Sequence, residues 1–196
     1  TPEGMQDVAT QALRQLDSLV HDKLPKNARE AIMQRATAVL AEHGRPTDVP
    51  VLIDVLKSRT LATRLAAHSA LVSLTNQFIK SRYLSSKSPK KRARTIAAWK
   101  KFWRTGQAKG WLTWMKTGFR SHGVRMARGT RFVRRDVPRL IRALTSPKPP
   151  VARNAAKVLV QITGHKPWLR RRTKRSLRRH WRYWWRTRGR RVTLQG

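Results

Sequence analysis

The sequence contains no cysteine, which excludes disulfide bonds, thiol nucleophiles and cysteine-based metal sites. No apolar run approaches the roughly 18 residues of a membrane-spanning helix, so we expect no integral membrane insertion. Acidic residues are also scarce, because 9 Asp and Glu accompany 45 Lys and Arg, and the formal net charge is +36. These absences say more about what the chain can bind than about any reaction.

The acidic residues are confined almost entirely to the first part of the chain. Residues 1–54 carry eight acids and six bases, whereas residues 55–196 carry 39 bases and a single acid, Asp136. Such a segment repels itself unless anions screen it, and this self-repulsion opposes folding. The asymmetry therefore predicts an anionic partner for residues 55–196.

Two helices are predicted before residue 48. Apolar residues at helical spacing indicate one helix over 5–20. A second helix is predicted from an N-cap at Asn27 to about Glu42, with Gly44 as the stop signal. This region is near neutral and resembles an ordinary globular segment.

A nine-residue pattern, D-V-P-x-L-I-x-x-L, occurs at 48–56 and again at 136–144, 88 residues later. We expect Asp48 and Asp136 to cap a helix whose first turn accommodates proline. A second helix follows each copy, and the helix pairs are predicted over 48–75 and 136–164. The predicted apolar stripes, one residue out of step with each other, are Ala67, Ala70, Leu71 and Leu74, and Ala156, Leu159, Val160 and Thr163.

Tryptophan also recurs, in the pattern W-[KR]-x-[FW]-W at 99–103 and 181–185. Recurrence after both helix pairs predicts that these tryptophans complete a core, as large aromatic side chains commonly do. The expected core residues are Trp99, Trp103, Trp181 and Trp185. Three tryptophans outside the motif are candidates for stacking on nucleic-acid bases, namely Trp111, Trp114 and Trp168.

Duplicated helix pairs are typical of α-solenoids. The chain resembles a HEAT repeat protein with a Trp-rich motif following each repeat. The D-V-P first helices carry this resemblance, together with R-x-A-A second helices that start at Arg64 and Arg153 and end in Leu74-Thr75-Asn76 and Ile162-Thr163-Gly164. It covers about 48–103 and 136–185.

The resemblance implies an all-α fold, a short HEAT-like α-solenoid with basic Trp-containing extra helices. The implied segments are near-neutral N-terminal helices at 1–47, a repeat with its basic Trp segment at 48–103, a basic insert at 104–135, and a repeat with a basic C-terminal helix at 136–196. HEAT repeats are generally binding scaffolds.

Two basic runs without any acid are the main functional signal. Residues 80–104 hold ten Lys and Arg, and residues 166–191 hold 13. Arginine pairs bidentately with phosphate, and no base-reading motif is present, so we expect recognition of the backbone. The candidate polyanion-binding residues are Lys90, Lys91, Arg92, Arg94, Lys100, Lys101, Arg170, Arg171, Arg172, Arg175, Arg178, Arg179, Arg182 and Arg186.

Little in the sequence indicates catalysis. One carboxylate after residue 54 excludes paired-carboxylate chemistry there, the six histidines lack ligand spacing, and Gly-rich phosphate loops are absent. A HEAT-like DNA glycosylase would need Asp54 or Asp136 as its carboxylate, but both match structural positions of the repeat. We therefore expect no enzyme, catalytic residue, cofactor or metal.

The expected function is non-catalytic binding of RNA or DNA. Two alternatives remain open at this stage: a scaffold or accessory subunit that docks an acidic protein in a large assembly, and attachment to an anionic membrane or envelope polymer. Residues 1–25 lack a signal-peptide pattern, which favours the cytoplasm. The first residue is Thr1, which leaves a processed or exported form open.

Overall fold

Helices make up all the regular structure in the residues that the computed structural model describes, which are 2–18, 25–167 and 173–194. The predicted all-α fold is therefore confirmed. In chain order the helices are α1 (Pro2–Ser18), α2 (Lys26–His43), α3 (Val49–Val55), α4 (Leu61–Thr75), α5 (Pro89–Gly106), α6 (Trp111–Ser121), α7 (Val137–Ala143), α8 (Pro149–Thr163) and α9 (Lys174–Thr187).

The chain forms two compact units, an N-terminal unit over Thr1–Gly110 and a C-terminal unit over Trp111–Gly196. The two segments predicted as 1–47 and 48–103 lie together in the N-terminal unit. The boundary falls inside the predicted basic insert at 104–135, and α6 gives that insert a helix of its own.

In the N-terminal unit, helix pairs pack side by side. Helix α1 contacts α2 and α3, α4 contacts α2 and α3, and α5 contacts α3. The buried side chains include Leu13, Leu40, Leu52, Leu71 and Trp99. Helix α2 begins one residue before the predicted cap, because Pro25 occupies the N-cap position, and it ends as predicted before Gly44.

In the C-terminal unit, α7 pairs with α8, α9 contacts α7, and α6 contacts α8. Phe119, Leu140, Leu159 and Trp181 are among the residues of one buried apolar cluster. The helix that follows each helix pair, α5 or α9, thus packs on the D-V-P helix and carries a fully buried tryptophan.

The two helix pairs keep one spacing of 88 residues throughout, so the predicted one-residue slip is wrong. The residues buried in α8 are Ala155, Val158, Leu159 and Ile162, which match Ala67, Ala70, Leu71 and Leu74 at that spacing. Ala156 and Val160 are only half-buried. Both second helices end at a residue with positive φ, Asn76 (58°) or Gly164 (68°).

The predicted one-residue offset follows from treating Arg64 and Arg153 as equivalent positions of the two second helices. Arg64 is 5 % exposed, and its guanidinium donates hydrogen bonds to the carbonyl oxygens of Ser58 (2.8 Å), Arg59 (2.7 Å) and Leu84 (2.8 Å). Arg153 is exposed, and Ala152 holds the position that matches Arg64. A buried arginine that binds main-chain carbonyls and an exposed arginine look identical in a sequence pattern.

The motif aspartates reach backwards along the chain and do not cap the helix that follows. Asp48 Oδ2 accepts a hydrogen bond from the Arg45 N–H (2.7 Å), and Asp136 Oδ2 accepts one from the Val133 N–H (3.1 Å). Each closes a 3-10 turn, Pro46–Asp48 or Arg134–Asp136. A forward cap bonds the second or third N–H of the helix, and proline, which has no N–H, occupies the second position here.

Candidate nucleic-acid interface

Asp136, the only acid after residue 54, lies inside the C-terminal unit with no exposed surface. Its carboxylate forms an ion pair with Lys116 Nζ (3.1 Å), whose side chain is 1 % exposed, and accepts a hydrogen bond from the Ala127 N–H (2.6 Å). Arg139 lies 3.6 Å from it at the rim. This carboxylate is occupied internally and cannot neutralise the exposed arginines of the unit.

Lys116 completes the buried pair by two further contacts. Its ammonium donates to the carbonyl oxygen of Arg131 and lies 5.5 Å from the centre of the Phe132 ring. One internal cation and one internal anion therefore cancel, since a buried charge is stable only when it is paired. Asp136 is the single acidic residue in the sequence of the C-terminal unit, and its basic partners here are Lys116 (3.1 Å) and Arg139 (3.6 Å).

Helix α9 carries a row of exposed arginines, Arg175, Arg179, Arg182 and Arg186, which we call the α9 ridge. Their spacing of i, i+4, i+7 and i+11 places them on one side of the helix, and at 1.5 Å per residue they span about 16 Å. The opposite side holds Leu177, Trp181 and Trp184, which contribute to the core. Burial of the aromatic side thus fixes the ridge toward solvent.

Arg178 lies beside the ridge and is not part of it. It is half-buried, and its guanidinium points to the hydroxyl of Thr145 just after α7 (3.5 Å). Lys174 similarly donates to the Ser146 carbonyl oxygen (3.2 Å). These contacts help to hold α9 in place, so Arg178 has a structural role that the predicted binding set did not foresee.

Helix α5 carries the first predicted basic set, and five of its six members are exposed: Lys90, Lys91, Arg94, Lys100 and Lys101. Arg92 is half-buried and donates to the carbonyl oxygens of Ser86 (2.8 Å) and Lys87 (2.7 Å), so it fastens the loop before the helix. In the Trp99/Trp181 register, Lys100 matches Arg182, and the exposed Arg104 matches Arg186. Sequence reasoning missed Arg104, although extending the Trp motif by one residue would have found it.

The buried tryptophans confirm most of the predicted core. Trp99 and Trp181 have no exposed surface and Trp185 is 9 % exposed, whereas Trp103 is half-buried. Gly189 packs so closely that a Cβ there would lie 2.6 Å from the Trp184 and Trp185 rings.

The predicted stacking role of Trp114 is wrong, because a side chain that is 2 % exposed presents no free ring face to a base. Trp111 is half-buried and packs against the core cluster of the C-terminal unit. Both lie on the apolar side of α6, with Met115 and Phe119 at helical spacing. The predicted residues Trp168, Arg170, Arg171 and Arg172 lie outside the described residues.

Two histidines join α9 to the segment that follows α8. The Nε2 atoms of His165 and His180 are 2.9 Å apart, and the ring planes differ by 3° with centroids 5.2 Å apart. This separation equals the N···N distance plus roughly one ring radius at each end, so the rings meet edge to edge, as in a hydrogen bond between the two nitrogens. His165 also stacks on Trp184, with centroids 4.3 Å apart.

The surroundings of His165 disfavour its protonation. Burial lowers the pKa of His165, and the nearby positive groups of His180 and Arg188 lower it further.

Among residues 2–18, 25–167 and 173–194, no helix is long and apolar enough to cross a bilayer. Within the same ranges, no three His, Asp or Glu side chains come together as metal ligands would. Comparison of the chain with protein-family models, with curated proteins and with solved structures found no match. The function proposed for the chain therefore rests on its geometry and charge.

Proposed function

We propose that this protein is a non-catalytic binder of nucleic acid that recognises the phosphate backbone through exposed Arg and Lys side chains. The observation that carries the proposal is the burial of Asp136 against Lys116. Because the single carboxylate after residue 54 is internal, the exposed charge of the described residues 55–167 and 173–194 is basic throughout. A partner supplies the missing anions.

The α9 ridge fits phosphates better than isolated carboxylates. Its four guanidinium groups offer paired donors along about 16 Å, and a nucleic-acid strand presents a phosphate about every 3.4 Å of duplex axis, so the ridge spans about five phosphates. Helix α5 adds a second set of exposed bases on the N-terminal unit. We propose that helix pairs of HEAT-like solenoid type serve as the rigid support for both sets.

The scaffold alternative rests on a separate feature of α1 and α2. Met5, Val8 and Ile32 are exposed apolar side chains around a shallow cavity of about 560 Å³. Such a face favours protein contact, and it lies in the near-neutral part of the chain. The membrane alternative is weakened because Trp181 and Trp185 are buried and cannot insert into a headgroup layer.

The proposal is tested by charge reversal on the α9 ridge. In fluorescence anisotropy with labelled RNA and DNA, the variant Arg175→Glu/Arg179→Glu/Arg182→Glu/Arg186→Glu should bind at least about 100-fold more weakly than the parent protein at 0.1 M salt. Binding by the parent should fall with a log–log salt slope of about −4 to −5 on duplex DNA, since each phosphate contact contributes about −0.9. A flat salt dependence would rule out the electrostatic mechanism.

The matched control changes net charge equally at another surface of the same unit. Arg125, Arg128, Arg131 and Arg135 are exposed before α7, and reversing all four should weaken binding less than about tenfold. Equal losses in the two variants would show that binding follows net charge and not the ridge. Poly-L-glutamate and anionic vesicles serve as competing probes, and preference for poly-L-glutamate over both nucleic acids would favour the acidic-protein alternative.

A further inference from the structure

The two tyrosines of the sequence lie in opposite situations. Tyr83, just before α5, is covered by arginines: the Arg82 and Arg94 guanidinium carbons lie 4.7 Å and 5.7 Å from its ring centre. Arg82 also donates a hydrogen bond to the Tyr83 hydroxyl (2.6 Å). The Tyr83 side chain is therefore already in contact with arginines of the protein itself.

Tyr183 is the open counterpart. It lies on α9 and is 70 % exposed, the largest exposed fraction among the large apolar and aromatic side chains of the described residues. Arg179 and Arg186 are four residues before and three residues after it, positions that neighbour it on a helix surface. In the described part of the chain, no guanidinium lies over this ring as Arg82 and Arg94 lie over Tyr83.

The other aromatic rings of α9 are committed to packing. Trp181 is fully buried, Trp185 is 9 % exposed, and Trp184 stacks on His165 while Gly189 packs against it. Tyr183 is therefore the ring of this helix with a face open to solvent, and it borders the row of cations that would hold phosphates. An exposed aromatic ring beside a cationic track is the arrangement that proteins use to stack on unpaired bases.

We propose that Tyr183 stacks on an unpaired base while Arg179 and Arg186 hold the phosphates on either side, so the ligand class is single-stranded nucleic acid. This inference rests on the proposed function, which requires only the phosphates. A continuous duplex keeps its base faces covered by neighbouring bases, and its binding should depend on the α9 ridge without Tyr183.

The test is a cycle between the protein and the nucleic acid, measured by anisotropy at fixed salt. One arm replaces Tyr183 with Ala, and the other replaces a single-stranded 12-mer with a strand of the same length whose bases have been removed. Stacking is worth about 1–3 kcal/mol per base, so Tyr183→Ala should weaken binding of the intact strand by about 5- to 150-fold. Binding of the abasic strand and of a duplex should change less than about twofold.

Two further variants separate stacking from other effects. Tyr183→Phe keeps the ring and should bind the intact strand within about twofold of the parent protein. Tyr83→Ala, the matched control at the covered tyrosine, should change binding less than about threefold. An equal loss of intact, abasic and duplex binding in Tyr183→Ala, or no loss at all, would overturn the stacking proposal, whereas failure of the parent protein to bind any nucleic acid would overturn the proposed function itself.

Discussion

The two D-V-P turns have the same backbone and different charges around it. In the N-terminal unit, Asp48 accepts a hydrogen bond from the neutral Thr10 hydroxyl (3.1 Å). In the C-terminal unit, Asp136 pairs with the buried ammonium of Lys116 (3.1 Å). In both turns the N–H group three residues earlier donates to the carboxylate. Beyond this shared bond the two carboxylates meet different groups, a hydroxyl at Asp48 and an ammonium at Asp136.

The two units also differ in where their acidic side chains lie. The N-terminal unit keeps acids at the surface, where Asp7 pairs with Arg45 (2.8 Å) and Asp54 pairs with Lys57 (2.6 Å). The C-terminal unit has one acid in its sequence, Asp136, and this carboxylate is buried against Lys116, so no acidic side chain of that unit lies at the surface.

The largest effect is expected from breaking the buried ion pair. Lys116→Met removes the buried partner of Asp136 and leaves Arg139 at the rim (3.6 Å), and removal of one partner of a buried pair costs about 3–5 kcal/mol of unfolding free energy. The matched change in the N-terminal unit, Thr10→Val, removes one neutral hydrogen bond and should cost about 1 kcal/mol. Urea unfolding followed by circular dichroism measures both.

A second variant separates the charge from the packing of the lysine stem. Lys116→Met combined with Asp136→Asn removes both charges and should recover part of the stability lost in Lys116→Met alone. Similar costs for Lys116→Met and Thr10→Val would contradict the contrast between the two turns.

The next effect compares the last tryptophan of each Trp motif, Trp185 and Trp103. Trp185 is 9 % exposed, so Trp185→Ala should cost about 3–5 kcal/mol, the usual loss for emptying a large aromatic site. Trp103 is half-buried, so Trp103→Ala should cost about half as much. Thermal unfolding of the two variants checks the ranking, and equal shifts in Tm would show that the sites are more alike than their exposure indicates.

Periodic features of the fold were accessible from the sequence. Helix pairs, the Trp residues of the core and the exposed face of α9 follow from apolar spacing, because one buried side of a helix determines the other. Trp114 was also readable in this way, since it shares helical spacing with Met115 and Phe119 on the buried side of α6. Its placement outside the duplicated motif obscured that pattern.

Features that depend on tertiary contacts could not be predicted from the sequence. Arg64 is buried because three main-chain carbonyl oxygens converge on it, and Lys116 is buried because Asp136 lies beside it. In sequence both are basic residues among many. For Asp48 and Asp136, the proline two residues later removes one of the two donors that a forward cap would use, but the N–H of the next residue remains, so the sequence does not determine the direction.

The smallest expected effect is the pH dependence of the unfolding free energy. The histidines of the two units differ in what shifts their pKa values. Burial lowers the pKa of His68 in the N-terminal unit, although its hydrogen bond to the Ile79 carbonyl oxygen opposes that shift. In the C-terminal unit burial lowers the pKa of both His122 and His165, and nearby positive groups, Lys148 for His122 and His180 with Arg188 for His165, lower them further. Positive neighbours thus reinforce the effect of burial on His122 and His165, whereas the hydrogen bond of His68 opposes it.

A histidine whose pKa is lower in the folded than in the unfolded chain stabilises the fold fully above the unfolded pKa of about 6.5, and this stability is lost as pH falls from there toward the folded pKa. We expect the free energy of unfolding to be nearly constant from pH 8 to pH 7 and to decline from pH 6.5 to pH 5.5. His165→Gln should make that decline shallower, because the variant lacks the group that takes up the proton. Urea titrations at half-unit pH steps provide the measurement, and a stability that rises on acidification would contradict the lowered pKa of His165.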